Sequence, residues 1–160
     1  MEFLWRELTA GLPDQKLFAQ AVIRLLAAVV LGGVIGIQRE RANKPAGLRT
    51  HILVTLGTCL IVLACLSFGM NSDGLSRVIQ GIVTGIGFVG AGSILKINEN
   101  RDVQGLTTAT SVWIAAGIGV AVGLGTLGLA IIGTAVALIV LAFVGSIEFR
   151  MHARRDKNEN

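Results

Sequence analysis

Charged residues are scarce in this sequence, and the acidic ones are confined to its hydrophilic segments. Only 15% of the 160 residues are Asp, Glu, Lys or Arg, whereas 52% are hydrophobic. Soluble domains carry about 25% charged residues, so the composition excludes an ordinary soluble domain and predicts one polytopic membrane domain. The first residues, MEFLWRE, lack the basic segment of a cleaved signal peptide, so we expect the whole chain to be mature.

Cysteine and histidine are equally rare, which leaves little material for catalysis. Cys59 and Cys65 lie about 9 Å apart along one predicted helix, too far to bridge each other, and are expected to be reduced. His51 and His152 are isolated in the sequence. The motifs H-x-x-x-H, C-x-x-C and G-x-S-x-G and the P-loop are all absent. The sequence therefore predicts no enzyme and no cofactor.

Acidic side chains are absent from the apolar stretches. All ten Asp and Glu residues fall outside the predicted spans or at their ends. Because Mg²⁺ prefers hard oxygen ligands and usually one or two carboxylates, we expect no metal site within the membrane. A dedicated magnesium channel is disfavoured, although hydroxyl and carbonyl groups at a broken helix could still line a path.

What the sequence does contain is a series of long apolar runs. The longest, 103–147, has 45 uncharged residues. As one helix it would measure about 67 Å, over twice the hydrocarbon core, so it must fold back at the glycine cluster 123–128. The other runs are 17–37, 50–68 and 78–95. The predicted fold is all-α: five transmembrane spans within 17–147, after an N-terminal interfacial segment 1–16 and before a short cytoplasmic tail 148–160.

Glycine marks the expected helix contacts, because small residues let helices in lipid approach closely. In the run 78–95, Gly81, Gly85 and Gly92 share one helical face, which predicts this third span as the packing centre. The full set of predicted packing residues is Gly32, Gly36, Gly81, Gly85, Gly87, Gly90, Gly92, Gly105 and Gly119. The pattern G-x-G-x-x-G at 85–90 lacks the strand and the acid that a dinucleotide site needs, so no nucleotide binding is expected.

Basic residues predict the orientation. With the N-terminus outside and the C-terminus inside, ten of the 14 Lys and Arg residues lie on the cytoplasmic side of a bacterial inner membrane. The net charge of +4 is explained by these loops and does not predict a nucleic-acid partner.

Two groups of polar residues are candidates for a functional site. The first is Arg24, Asp73, Arg77, Gln80 and Thr84, and we expect Arg24 to meet Asp73 or Gln80 across a helix contact. The second is Thr107, Thr108 and Ser111. The alternative for the first group is an ordinary polar contact between helices, and Arg24 could also reach the membrane surface along its own side chain. In the second group, Thr107 and Thr108 could open the fourth span with a hydroxyl cap near its N-terminus.

The loop 38–51 is the third candidate. Its members Arg39, Glu40, Arg41, Lys44, Pro45, Gly47 and Arg49 form a dense charged segment. Two interpretations stay open: the loop is only the positive anchor of the topology, or it is a docking surface for a partner or an anionic lipid headgroup.

Three segments carry a resemblance to a known family. The segments IGIQRERANKPAGLRTH, RVIQGIVTGIGFVGAGSIL and VQGLTTATSVWIAAGIG resemble the membrane domain of the MgtC/SapB proteins of bacteria. The resemblance covers about residues 20–140 and favours the docking interpretation of the loop, since Pro45, Gly47, Leu48 and Arg49 match the family pattern. Relatives tied to virulence often add a soluble C-terminal domain, whereas 13 residues follow Ile147 here.

The resemblance implies a function in growth under magnesium limitation. The first expectation is a non-catalytic regulator that contacts another membrane protein and associates with itself. The alternatives are a transporter of a small ion or solute and, less favoured, a scaffold that mainly forms oligomers.

Overall fold

The computed structural model describes residues 15–97 and 102–155, and within them the chain forms five helices. These are α1 (Gln15–Arg41), α2 (Leu48–Ser67), α3 (Ser72–Ala91), α4 (Leu106–Gly123) and α5 (Leu127–Arg155). The prediction of a helical membrane protein is confirmed, since the first four helices are long and apolar enough to cross a membrane. The stretch Leu127–Ala142 of α5 is apolar but shorter. The predicted interfacial segment lies outside the described residues except for its last two positions.

The connection between α3 and α4 contains a small antiparallel ribbon. Strand β1 (Leu95–Ile97) pairs with β2 (Asp102–Gln104), with Leu95 opposite Gln104 and Ile97 opposite Asp102. The ribbon is followed by Gly105, whose φ of 99° is a left-handed conformation that suits glycine. A Cβ at this position would also collide with the carbonyl oxygen of Ser93, so glycine is needed where the chain turns into α4.

Helix α4, and not α3, is the centre of the bundle. It contacts each of the other four helices. Ten of its residues are buried, whereas in α3 only Ile86 and Gly90 are. The helices alternate in direction, so α1 and α3 end where α2 and α4 begin. We call this the ribbon end, because the ribbon joins α3 to α4 there.

Two pairs of glycines hold α2 between α1 and α4. On α1, a Cβ at Gly36 would lie 2.6 Å from the Cα of Leu48, and one at Gly32 would lie 2.7 Å from the carbonyl oxygen of His51. On α4, Gly119 faces Thr55 and Thr58 of α2, and Gly123 faces Cys59 and Val62. Because no side chain fits at these four positions, the helix backbones approach as closely as glycine allows.

The prediction that the third span is the packing centre is wrong for the contacts between helices of one chain. Gly81, Gly85 and Gly87 have open space where a Cβ would stand, and Gly92 meets only its own helical turn. Gly90 alone contacts another helix, since its Cβ would lie 3.5 Å from the carbonyl oxygen of Ala109 on α4. The reason is the rotation of α3, which packs through its Ile82 and Ile86 side instead of its glycine side.

Apolar side chains fill much of the space between the helices, and a hydrogen bond joins α1 to α2 in the interior. The larger core cluster contains Ala28, Ile35, Cys59, Ile118, Val122 and Ala130. The buried hydroxyl of Thr55 on α2 donates to the carbonyl oxygen of Ala28 on α1 at 2.8 Å. This bond crosses the contact made by Gly32 and satisfies the one polar group that the contact buries there.

Gly119 and Gly117 of α4 provide a matched test of this packing. Gly119→Ala is expected to lower the free energy of unfolding by about 1–3 kcal/mol, because the added methyl group has no space against Thr55 and Thr58. Gly117→Ala serves as the control, since nothing lies within 4 Å of its Cβ position. Denaturation of the purified protein in detergent micelles measures both. An equal loss of stability in the two variants would contradict this account of the helix contacts.

Candidate functional site

Four polar side chains are buried together at the ribbon end. Arg39 of α1, His51 of α2, and Thr108 and Ser111 of α4 are between 0% and 3% exposed. They come from the last turn of α1 and from the first two turns of α2 and α4, so three helix ends place them. We call these four residues the ribbon-end cluster.

Arg39 is buried, and no acidic side chain among the described residues pairs with it. Its Nη2 donates to the hydroxyl of Thr108 at 3.4 Å, and its Nε has no hydrogen-bond partner. No ion pair of this guanidinium is found within the described residues. Thr108 lies in the first turn of α4, where the helix dipole is positive, whereas Arg39 itself lies in the last turn of α1, where the dipole is negative and favours a cation. A buried charge in this setting costs stability, and that cost needs a reason other than folding.

His51 connects α2 to α4. Its Nδ1 lies 2.8 Å from the carbonyl oxygen of Gly47, which can only accept, so Nδ1 carries the proton. Its Nε2 lies 3.1 Å from the hydroxyl oxygen of Ser111, and that hydroxyl donates to the carbonyl oxygen of Thr108 at 2.8 Å. The imidazole thereby ties the loop before α2 to the central helix.

Glu40 fixes the loop from the opposite side of α1. Its Oε2 accepts the backbone N–H of Leu48 at 2.9 Å, and a carboxylate at this position favours the N-terminus of α2. The backbone N–H of Lys44 donates to the carbonyl oxygen of Arg39 at 3.1 Å. Gly47 leaves the space that the Glu40 carboxylate occupies, since a Cβ would lie 2.9 Å from Oε2. The six-residue connection between α1 and α2 is therefore held at both of its ends.

The remaining charges of this loop are on the surface. Arg41, Lys44, Pro45 and Arg49 are exposed. They surround or neighbour an open cleft of about 540 Å³ lined by Glu40, Lys44, Pro45, Gly47, Leu48, Arg49 and Thr50. One residue of the predicted docking loop is placed differently by the structure. Arg39 is buried inside the protein, because it falls on the side of α1 that faces α4, and it supports the loop from the interior.

The other predicted polar group is not assembled within the chain. Nη1 of Arg24 donates to the carbonyl oxygen of Gly123 at 2.9 Å, and its guanidinium packs against Gly125. Arg24 therefore caps the C-terminus of α4, where the helix dipole favours a cation. Asp73 and Gln80 are not among its hydrogen-bond partners, and Asp73, Arg77, Gln80 and Thr84 are all exposed on α3. In the second predicted group, Thr108 and Ser111 are buried but Thr107 is exposed.

Sequence reasoning missed the participation of His51. A usable signal was present, since His51, Thr55 and Thr58 follow one face of α2, and Thr108 and Ser111 follow one face of α4. Polar residues that recur at this spacing on an apolar helix indicate a buried line of polar contacts with a neighbouring helix. Within the described residues, no three His, Cys, Asp or Glu side chains come together that could hold a metal ion.

Comparison with known proteins identifies the family. A model described as the MgtC family matches residues 25–150, which is most of the chain. The chain belongs to the MgtC family. The match includes the whole ribbon-end cluster and both glycine pairs, whereas Arg24 lies just before its first residue. No solved structure gave a significant match.

Named relatives are similar over the same region. The YhiD protein of Escherichia coli strain K12, whose name proposes a magnesium transporter, is 39% identical over 83% of this chain and 64% of its own length. The SrpB protein of Synechococcus elongatus is 41% identical over 74% of this chain and 71% of its own. The MgtC protein of Salmonella typhimurium strain LT2 is 40% identical over 78% of this chain. The chain spans only about half the length of that protein, 52%.

The two arginines of α1 give a matched test of the site. Arg39→Met is expected to leave the free energy of unfolding unchanged or to raise it by about 1–4 kcal/mol, because it removes a buried charge that has no negative partner among the described residues. Arg24→Met is expected to lower it by about 1–3 kcal/mol, because the carbonyl of Gly123 loses a charged donor. Denaturation in detergent micelles measures both. If Arg39→Met lowers the free energy of unfolding as much as Arg24→Met does, the ribbon-end cluster stabilises the fold, contrary to this expectation.

Proposed function

We propose that this MgtC-family protein is a non-catalytic regulator of the bacterial inner membrane that acts under magnesium limitation. It acts by contact, and the loop between α1 and α2 is its docking surface for another membrane protein. The observation that carries the proposal is a contrast within this loop between a base that is fixed by hydrogen bonds and cations that are exposed at the surface. Its base is held by the ribbon-end cluster and Glu40, while Arg41, Lys44 and Arg49 project outward.

A loop held in this way is suited to recognition. Ordering a flexible loop on binding costs free energy, and a loop already fixed at Leu48 and Arg39 avoids most of that cost. Three exposed cations beside one carboxylate select a surface that is mainly acidic, and such complementarity governs specificity and association rate. Arg39 fits this scheme as a positioning residue, since it joins the end of α1 to α4 behind the loop.

The proposed topology has five spans, with the N-terminus outside and the ribbon end in the cytoplasm. The loop with Arg41, Lys44 and Arg49 and the ribbon with Lys96 then lie on the same side, in agreement with the distribution of basic residues. Helix α5 has 29 residues, about 43 Å, which is enough to cross the membrane and extend beyond it.

Transport is the second candidate, and one cavity favours it. Arg24 lines an open space of about 540 Å³ between α1 and α2, together with Phe18, Gln20, Leu63 and Ser67. However, the close contact of Gly32 and Gly36 with α2 lies between this cavity and the ribbon-end cluster. Ile35, Cys59, Ile118 and Val122 fill the same interior, so the two polar regions are not joined through the bundle.

The docking surface is tested by removing its charges without reversing them. Lys44→Gln combined with Arg49→Gln is expected to abolish the support of growth in magnesium-limited medium, because the acidic partner loses its contacts. Gln104→Ala, at an exposed position of the ribbon at the same end, is the control and is expected to behave like the wild type. Immunoblots of membrane fractions establish that all variants insert equally. Full growth of the double variant would exclude the loop as the docking surface.

Flux measurements separate regulation from transport. Purified protein in lipid vesicles is expected to move no more Mg²⁺ than empty vesicles do, because apolar side chains close the bundle between Arg24 and Arg39. Saturable uptake that is lost in Arg24→Met would assign transport instead. A photoreactive residue at position 44, with position 104 as control, then identifies the protein that the loop contacts in native membranes.

A further inference from the structure

Helix α3 presents its polar side away from the bundle. At 100° per residue, Asp73, Arg77, Gln80 and Thr84 fall within a stripe about 60° wide, and all four are exposed. The side that packs on the bundle, with Ile82, Ile86 and Gly90, lies roughly opposite. An amphipathic helix of a soluble protein points its apolar side inward and its polar side to water. Helix α3 has the same arrangement but the length and composition of a membrane span, so its stripe faces lipid.

The groups of this stripe are not satisfied within the chain. The hydroxyl of Thr84 donates to the carbonyl oxygen of Gln80 at 2.9 Å, but the Gln80 amide has no hydrogen-bond partner in the part of the chain that the structure describes. Asp73 and Arg77 likewise form no ion pair with any described residue. Gln80 lies about 12 Å along the helix from Ser72, close to the middle of a 30 Å span. A polar amide at this depth requires a partner, because lipid provides none.

We propose that the partner is a second copy of this chain, packed through the same stripe of α3 about a two-fold axis perpendicular to the membrane. The stripe is complementary to itself. Two copies in one membrane have the same orientation, so their α3 helices are parallel and each residue faces its equivalent near the axis. The amide of Gln80 is both donor and acceptor and can bond to its equivalent. Asp73 and Arg77 lie one turn apart, about 6 Å along the helix, so the Asp73 of each copy can pair diagonally with the Arg77 of the other copy across the axis.

Gly81 and Gly87 lie within about 40° of the edges of the stripe and make close approach possible. Nothing lies within 4 Å of their Cβ positions, whereas Cβ atoms at Gly32, Gly36, Gly119 and Gly123 would collide with a neighbouring helix. In a symmetric pair these open positions admit the backbone or side chains of the second α3. A different protein would have to bring its own matching acid, base and amide at the same depths. A second copy has the same acid, base and amide at the same depths by symmetry. The proposal of a dimer does not depend on the docking role of the loop.

Disulfide trapping in native membranes tests the interface. Thr84→Cys is introduced into the full chain carrying Cys59→Ala and Cys65→Ala, and membranes are treated with copper phenanthroline. Most of the protein is expected to run at twice its mass without reductant. Val136→Cys is the matched control, because Val136 is 54% exposed on α5 at nearly the depth of Gln80 in α3. It is expected to remain monomeric.

Variants without added cysteines test the chemistry of the stripe. Stepwise photobleaching of single labelled molecules counts the copies. Gln80→Leu is expected to reduce the dimeric fraction several-fold, whereas Gln80→Asn retains it. Asp73→Arg is also expected to reduce it, and the exchange of both charges, Asp73→Arg with Arg77→Asp, is expected to restore it. Restoration by the double exchange would not follow from a merely misfolded single variant.

Four outcomes would overturn the proposal. They are a monomer in both assays, equal trapping at positions 84 and 136, trapping of position 84 to a different polypeptide, and rapid modification of position 84 by a water-soluble maleimide. The third would make the stripe a docking site for another protein, and the fourth would make it part of a water-filled path. Full growth of the variant with Lys44→Gln and Arg49→Gln, together with an intact dimer, would instead count only against the loop.

Discussion

The contact of α2 with both of its neighbours is the constraint on which the structure depends. In lipid, helices gain little from burying apolar surface against one another, so association relies on close packing and on hydrogen bonds across the contact. Gly32 and Gly36 provide the close packing on the α1 side, and Gly119 and Gly123 provide it on the α4 side. The Thr55 hydroxyl adds the hydrogen bond to Ala28. Since His51 lies one turn before Thr55, the same contact also places the imidazole that reaches Ser111.

The two arginines of α1 lie near opposite ends of α4, where the helix dipole has opposite signs. Arg24 and Arg39 are 15 residues apart, about 22 Å along α1, and each approaches one end of α4. Arg24 bonds to a free carbonyl at the negative end of the dipole, which is a stabilising arrangement. Arg39 bonds to a hydroxyl at the positive end and leaves its Nε without a partner. The first arginine is explained by folding, whereas the second is explained better by what it supports, the loop that begins three residues later.

The sequence predicted the helices and the loop well, because long uncharged runs and clusters of basic residues are properties of single segments. It did not predict which helix is central. Gly117 and Gly119 look alike in the sequence, yet only Gly119 touches another helix, and the glycine-rich third span faces outward. Contact depends on the rotation of each helix about its axis, which the neighbours decide. The partner of Arg24 was missed for a related reason, since it is a backbone carbonyl and not a side chain with a recognisable charge.

The distribution of polar groups is the reason that we propose a protein that acts by contact with other proteins and not by conducting ions. A pore needs its polar groups around a central passage, but here the interior between Arg24 and Arg39 is occupied by Ile35, Cys59, Ile118 and Val122. The polar groups that are free to act are on the outside: the cations of the α1–α2 loop at the ribbon end and the stripe on α3. The loop is held by Glu40 and the ribbon-end cluster, whereas the stripe of α3 lies on the side of that helix that faces away from the bundle. The two proposed contacts therefore use different surfaces of the protein.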